Sequence, residues 1–298
     1  MPICVPQRPF GELLTAMVTP FAADGSVDLA AAKHLAARLV AEGHDGLVIN
    51  GTTGESPTTS DSEKAELVAA VVAEVGAAAH VLAGVGTNDT RHSIELAHAA
   101  REAGATGLLI VTPYYNRPPQ TGLIAHFTAI ADATDVPVML YDIPARTGVA
   151  IEPATFAVLA EHPRIVANKD AKGDVAMAAE VLSSTGLAWY SGDDHLTLQL
   201  LRVGAVGVVS VVGHVVGARI RVMLDAHHRG DAAQAQSVHD ELTPIFTGMF
   251  RTQGVILTKA ALALLGEPVG DLRLPLVSAT PEQIEQLRAD LVAGGVQL

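Results

Sequence analysis

A single cysteine, Cys4, stands in a chain of 298 residues, so no disulfide can close within it and no Cys-x-x-Cys pair exists for zinc or redox work. Aromatic residues make up 4% of the chain and charged residues 17%. Basic residues are outnumbered, 19 Lys and Arg against 32 Asp and Glu, for a formal net charge of −13. A general nucleic-acid binder needs a basic footprint to neutralise phosphate, so no nucleic-acid partner is expected. Long apolar runs are missing too. Val203–Ala218 comes nearest, but Ser210, His214 and several glycines interrupt it. A spanning helix needs about 20 predominantly apolar residues, and a buried strand followed by a loop is the expected form. Met1–Phe10 carries three prolines and no signal-peptide core. A cytoplasmic protein without membrane contact is the resulting expectation.

What the chain does have is 49% hydrophobic residues, mostly Ala, Val and Leu. That is enough to bury a large core and excludes intrinsic disorder. Short apolar runs recur at Leu14–Val18, Gly46–Asn50, Val81–Gly84, Gly107–Val111, Val138–Tyr141, Ile165–Asn168, Ala188–Tyr190 and Val206–Val209. They are apolar throughout rather than alternating, as parallel strands covered on both faces should be. Amphipathic helical patterns lie between them, at Leu29–Glu42, Asp61–Val75, Thr90–Ala103 and Gly122–Ala133, with Asp61 placed as an N-cap. Eight strand–helix alternations predict an α/β fold, a (β/α)8 TIM barrel, over residues 1–230. A doubly wound open sheet shares the same local pattern. Past Gly230 the strand signals stop. Ala232–Met249, Gly254–Leu265 and Pro281–Val292 then predict a small three-helix C-terminal domain over residues 231–298.

Barrels do their chemistry at the C-terminal ends of strands. Those ends carry Gly51-Thr52-Thr53-Gly54-Glu55-Ser56, Thr112-Pro113-Tyr114-Tyr115-Asn116, Tyr141 to Gly148, Asn168-Lys169-Asp170-Ala171-Lys172 and Ser191-Gly192-Asp193-Asp194-His195. All four tyrosines, Tyr114, Tyr115, Tyr141 and Tyr190, fall there. Of the five lysines, only Lys169 directly terminates an apolar strand. Desolvation at such a place favours a neutral amine, which attacks carbonyls to form a Schiff base. A lysine snorkelling outward to pair with Asp170 is the competing reading, and position alone does not separate the two. Gly51–Gly54 reads first as a glycine-flanked turn with capping hydroxyls, which turn chemistry alone explains, and second as a donor cluster for a carboxylate or oxyanion. Arg146 reads as a solvated loop cation or as a bidentate clamp on an anionic substrate. Tyr115 and Tyr141 read as packing aromatics or as proton relays. Gly84-Val85-Gly86 lacks the third glycine of a dinucleotide fingerprint. No His-Glu-x-x-His helix exists, and Asp193-Asp194-His195 reads as a helix N-cap rather than a metal site.

Thr19-Pro20-Phe21, Gly51-Thr52-Thr53-Gly54-Glu55, Val111-Thr112-Pro113-Tyr114-Tyr115, Tyr141-x-x-Pro144-x-Arg146-Thr147-Gly148, Lys169-Asp170-Ala171 and Ser191-Gly192-Asp193 occur in this order along the chain. Each motif is short, but in order and at strand ends they are jointly specific. The set resembles the pyruvate-dependent class I aldolase family that contains dihydrodipicolinate synthase and N-acetylneuraminate lyase, across essentially the whole chain. The Thr-Thr pair and the arginine after Tyr-x-x-Pro-x point to the dihydrodipicolinate synthase branch. Asp170, Val209 and Asn168 depart from the residues usual in the family; none removes a reacting group.

The resemblance implies a lyase of lysine and diaminopimelate biosynthesis. It would condense pyruvate with L-aspartate 4-semialdehyde to give 4-hydroxy-tetrahydrodipicolinate. It implies an imine between pyruvate and Lys169, a relay of Thr52, Tyr115 and Tyr141, and a hold on the pyruvate carboxylate by Thr53 with backbone amides. Arg146 would take the semialdehyde carboxylate, with Gly192 and Val209 lining the pocket. No metal and no organic cofactor are implied. The implied assembly is a homotetramer, a dimer of tight dimers in which Tyr115 completes a neighbour's relay. Lysine-inhibited members bind lysine at the tight-dimer interface. The matching positions here are Ser56, Asn88, His92 and Tyr114, with Pro57, Asp61 and Lys64 nearby. His92 replaces a glutamate of sensitive relatives, so weak lysine inhibition is expected unless Glu55 or Asp61 compensates. An aldolase for sugar-derived keto-acids, or a catalytically silent barrel that senses a keto-acid, are the competing functions.

Overall fold

The computed structural model describes residues 8–267 and 269–298; Cys4 and most of the Met1–Phe10 segment lie outside them. Eight parallel strands close in sequence order into a barrel: β1 (Leu13–Ala16), β2 (Gly46–Ile49), β3 (His80–Gly84), β4 (Gly107–Val111), β5 (Val138–Asp142), β6 (Ile165–Asp170), β7 (Ala188–Ser191) and β8 (Gly207–Ser210). β8 returns to pair with β1, with Leu14 opposite Val209. The open-sheet alternative is thereby excluded. The strands are buried along nearly their whole length, as their unbroken apolar runs require.

Around the barrel lie α1 (Leu29–Ala41), α2 (Asp61–Val75), α3 (Thr90–Glu102), α4 (Gln120–Asp132), α5 (Pro144–Thr147), α6 (Pro153–Leu159), α7 (Val175–Ser184), α8 (Thr197–Arg202) and α9 (Gly213–His228). They are followed by α10 (Ala232–Gly248), α11 (Gly254–Leu264) and α12 (Pro281–Ala293). Two expectations change. Asp61 is the first helical residue of α2 rather than its cap. Ser60 caps the helix in a reciprocal box with Glu63, which satisfies two orphan amides at once. Val203–Ala218 is a strand followed by a helix, not by a loop, because Val212 and Gly213 turn directly into α9. No helix of the described residues is long and apolar enough to cross a membrane.

Three apolar clusters hold the fold. One fills the barrel with Phe10, Leu14, Val48, Leu82, Met139, Ala167, Tyr190 and Val209. Its floor is pinned where the Tyr190 hydroxyl donates to the Gly11 carbonyl at 2.9 Å. A second, the largest, packs strands against α1 to α4 and α6 to α8, with Val255 and Leu262 of α11 joining it. The third joins Leu13, Val208 and Ile220 of the barrel to Leu242, Phe246, Leu257 and Leu287 of α10 to α12. The C-terminal helices are thus set over the β8 side, where they reach the open end of the barrel.

Candidate active site

Strand register builds the centre of the site. Tyr141 and Lys169 are direct neighbours across β5 and β6, at the C-terminal ends where side chains of this phase point into the barrel. Both are buried, 5% and 4% exposed. The Lys169 amine lies 4.1 Å from the centre of the Tyr141 ring. It does not pair with Asp170, whose side chain points to the opposite face of β6. There Asp170 accepts from the Lys172 amide at 2.8 Å and from the Trp189 indole at 3.1 Å. The geometry therefore decides between the two readings of Lys169 in favour of the inward amine.

Burial lowers the Lys169 amine to about pKa 8, with the Asp194 carboxylate opposing and the Arg146 guanidinium assisting. Burial also lifts the Tyr141 hydroxyl to about 12, against the pull of Arg146 and of the Thr52 side chain. At neutral pH the tyrosine keeps its proton while a useful fraction of the amine is free. Gly192 accounts for the space. A Cβ there would stand 3.0 Å from the Lys169 side chain, so a larger residue would push the amine out of place.

A cavity of about 420 Å³ opens over this pair. Thr52, Thr53, Tyr141, Arg146, Lys169 and Gly192 line it together. Arg146, on the short helix α5, is exposed and has no side-chain hydrogen bond or ion pair among the described residues. It is therefore free to take an anion. Val209 is buried in the same apolar cluster as Tyr141 and does not line the cavity. Sequence reasoning missed Val211, Phe246, Phe250, Gln253 and Val255, which form one wall of it. Phe246 lies on α10 and Phe250 in the turn after it, far along the chain from the strands, and only the closed fold brings them to the strand ends.

Asp193 to His195 do not form the expected side-chain cap. Asp194 is buried and accepts from the Ser210 hydroxyl at 2.5 Å and from the amides of Val211 and Val212 at 2.9 and 3.2 Å. It ties the end of β8 to the end of β7, while Asp193 pairs with His195 at 2.7 Å.

A second cavity of about 430 Å³ adjoins the first and shares Thr52, Tyr141, Ile143 and Arg146 with it. Ser56, Asn88, His92 and Tyr114 all line it, with Asp61 and Lys64. Tyr115 lines neither cavity. It is 90% exposed, on a loop where its φ of 72° is left-handed.

The family model described as the dihydrodipicolinate synthetase family matches residues 9–293. The chain belongs to this family. A 4-hydroxy-tetrahydrodipicolinate synthase 2 of Streptomyces coelicolor is 67% identical over 297 residues, covering 100% of this chain and 99% of that protein. A 4-hydroxy-tetrahydrodipicolinate synthase of Acidothermus cellulolyticus is 62% identical, with 96% and 93% covered. Among solved structures, the lysine-bound dihydrodipicolinate synthase of Cyanidioschyzon merolae superposes with a TM-score of 0.95 at 42% identity, with 98% and 100% covered. Of the short segments picked out in the sequence, Gly51–Thr53, Val111, Tyr114, Tyr141, Arg146, Thr147, Lys169, Ala171, Gly192 and Asp193 line the two cavities, while Thr19-Pro20-Phe21 lines neither.

Proposed function

We propose that this chain condenses pyruvate with L-aspartate 4-semialdehyde to form 4-hydroxy-tetrahydrodipicolinate, on the diaminopimelate route to lysine. The observation that carries the reading is the buried Lys169 amine set against Tyr141, in a cavity shared with Thr53 and with Arg146, which has no ion-pair partner among the described residues. The neutral amine adds to the pyruvate keto carbon and expels water, giving a protonated imine. That nitrogen is an electron sink, so the methyl group releases a proton and an enamine forms. The enamine attacks the aldehyde carbon. The amine of the second substrate then displaces Lys169 by transimination, closing the ring and freeing the enzyme. The imine supplies the electrophilic activation, so the reading calls for no metal and no organic cofactor.

In this reading Lys169, Tyr141, Thr52 and Tyr115 are the catalytic groups. Tyr141 and Thr52 pass protons, and the exposed Tyr115 does so in the site of a partner subunit. Thr53 with nearby backbone amides holds the pyruvate carboxylate, and Arg146 the semialdehyde carboxylate. Gly192 gives the lysine its room, while Val209 acts from the packed layer. The proposal includes a cytoplasmic homotetramer of tight dimers. It also includes a division between the barrel, residues 1–230, and a helical unit, residues 231–298. The cavity bearing Ser56, Asn88, His92 and Tyr114 is the proposed regulatory position.

Borohydride reduction in the presence of pyruvate tests the central step. One pyruvate-derived adduct per subunit is expected, on the peptide containing Lys169. Turnover should follow with aspartate semialdehyde and not with sugar aldehydes. An adduct on Lys172, or none, overturns the assignment. Sedimentation velocity reads the assembly.

A further inference from the structure

The loop that carries Thr52 and Thr53 is anchored at its far end by a buried ion pair outside both cavities. The Glu55 carboxylate lies 2.9 Å from the Lys259 amine of α11, with side chains 1% and 4% exposed. Lys259 also donates to the Asp271 carbonyl at 2.8 Å and lies 4.4 Å from the centre of the Phe21 ring. The second Glu55 oxygen accepts from the Arg273 amide at 3.0 Å. The Arg273 guanidinium, itself 4.4 Å from the Phe21 ring centre, donates to the carbonyls of Gly25 and Thr58 and pairs with Glu63. The amide of Phe21 donates to the Val269 carbonyl at 3.0 Å.

A buried pair of this kind is costly to desolvate. Here the Asp271 carbonyl takes a Lys259 proton and the Arg273 amide serves the second Glu55 oxygen, while the first Glu55 oxygen has the Lys259 charge but no hydrogen bond among the described residues. What it secures is a strained turn. Glu55 has φ 54° and ψ 36°, a left-handed conformation that a non-glycine residue keeps only when its surroundings over-determine it. The turn is tight. The Glu55 amide donates to the Thr52 carbonyl at 3.2 Å, the Gly54 amide to the Gly51 carbonyl at 3.1 Å, and the Thr19 hydroxyl to the Gly54 carbonyl at 2.6 Å. Displacing Glu55 therefore moves the two threonines.

We infer that Glu55 and Lys259 are positioning residues: the C-terminal helix α11 holds the Thr52–Thr53 loop in the shape that takes the pyruvate carboxylate. The inference rests on the proposed pyruvate site and gives the Thr19-Pro20-Phe21 and Glu55 motifs a part in it.

The test compares Lys259→Met, Glu55→Gln and the double variant with the unsubstituted enzyme. For each, the pyruvate KM, the semialdehyde KM, kcat and the thermal midpoint are measured. Lys259→Met is expected to raise the pyruvate KM about tenfold or more, since displacement of a binding group by about 1 Å can cost far more than that. The semialdehyde KM, which depends on the separate loop of Arg146, should stay within about twofold by the same argument. A role in stability alone would lower the thermal midpoint and leave both KM values in place. The double variant leaves no uncompensated buried charge, so it folds even if a single variant does not. It too should show a raised pyruvate KM, because the loop is untethered. An unchanged pyruvate KM in the double variant, or equal rises in both KM values, overturns the inference. The unsubstituted enzyme is the control for the underlying reading: if it forms no pyruvate adduct on Lys169, that reading falls and takes the inference with it.

Discussion

The Lys169 amine sits 4.1 Å from the centre of the Tyr141 ring, on strands whose register places the two residues side by side. The same burial moves their proton affinities apart. The amine falls to about 8, while the phenol rises to about 12. Two groups of similar ordinary pKa thus become a nucleophile that is partly free and an acid that stays protonated at neutral pH.

Imine formation should depend on pH through the amine. Below its folded pKa of about 8, the free-amine fraction grows about tenfold per pH unit. The rate of pyruvate imine formation, read by rapid quenching into borohydride, should rise accordingly and level off above about pH 8. The same residue predicts a stability effect. A lysine whose folded pKa lies below its unfolded value of 10.5 binds fewer protons folded than unfolded, so below pH 8 it opposes folding. Lys169→Met should therefore stabilise the protein at pH 7 by on the order of 3 kcal/mol. That gain should disappear as pH rises from 8 towards 10.5. A flat pH profile of imine formation, or a destabilised Lys169→Met, would contradict the environment described for Lys169.

Arg146→Ala should separate the two substrates. A charge-assisted bond to a carboxylate contributes about 1.5–3 kcal/mol, which is roughly a 10- to 150-fold loss when it is removed. Only the second substrate is proposed to use this guanidinium. Condensation should fall by that amount, while exchange of the pyruvate methyl protons stays near its normal rate. If exchange falls as steeply as condensation, Arg146 serves pyruvate or the fold instead.

Asp142 follows Tyr141 and faces the other side of β5, fully buried. One carboxyl oxygen accepts from the Ile151 amide at 3.2 Å, while the other has no hydrogen-bond partner among the described residues. Burial raises its pKa to about 7, with the Ile151 amide and Lys172 opposing and Asp170 assisting. Because the folded state holds this proton more tightly, the stabilising contribution is complete below pH 3.8 and is lost as pH rises through about 7. Asp142→Asn, which keeps the shape of the protonated acid, should flatten that decline. It should raise stability at pH 8 by a few kcal/mol, on the order set by the shift. Urea midpoints across the pH range measure it, and an unchanged slope would place the proton elsewhere.

The barrel and the place of Lys169 in it were legible because they obey local rules. Unbroken apolar runs mark strands buried on both faces, and Lys169 interrupts one of them at a C-terminal end. The parts that were not legible are those joined only by closure. Phe246, on α10, and Phe250, in the turn after it, lie far along the chain from the strand ends, yet they wall the cavity. Glu55 and Lys259 are ordinary charged residues until the third dimension brings them to 2.9 Å. The sequence around Asp194 predicts a cap, because the groups that donate to its side chain, on Ser210, Val211 and Val212, lie on the next strand and loop.

The same long-range pairings bear on inhibition by lysine. A free amino acid with an ammonium group needs an unengaged carboxylate in the second cavity, and among the described residues Asp61 is the only acidic one that lines it. Asp61 is already taken. His92 lies 2.9 Å from one of its oxygens and the Lys64 amine 4.0 Å from the other. Lys64 is itself buried in the wall and donates to the Thr59 carbonyl. Glu55, the other carboxylate that could have compensated, is turned away into its pair with Lys259. A lysine ligand would bring a second ammonium beside Lys64 and find no partner for it, and each such mismatch costs on the order of a few kcal/mol. Since about 1.4 kcal/mol is tenfold in affinity, binding should be pushed to millimolar Kd or weaker. Titrating L-lysine into the condensation assay should leave the rate nearly unchanged up to about 1 mM, where Kd corresponds to only about −4 kcal/mol. Lys64→His with His92→Glu should restore sensitivity, because the pair removes the resident ammonium and supplies the missing carboxylate. Strong inhibition of the unsubstituted enzyme well below millimolar lysine would show that Asp61 is released from His92 and Lys64 on binding, and that the cavity as described is not its final form.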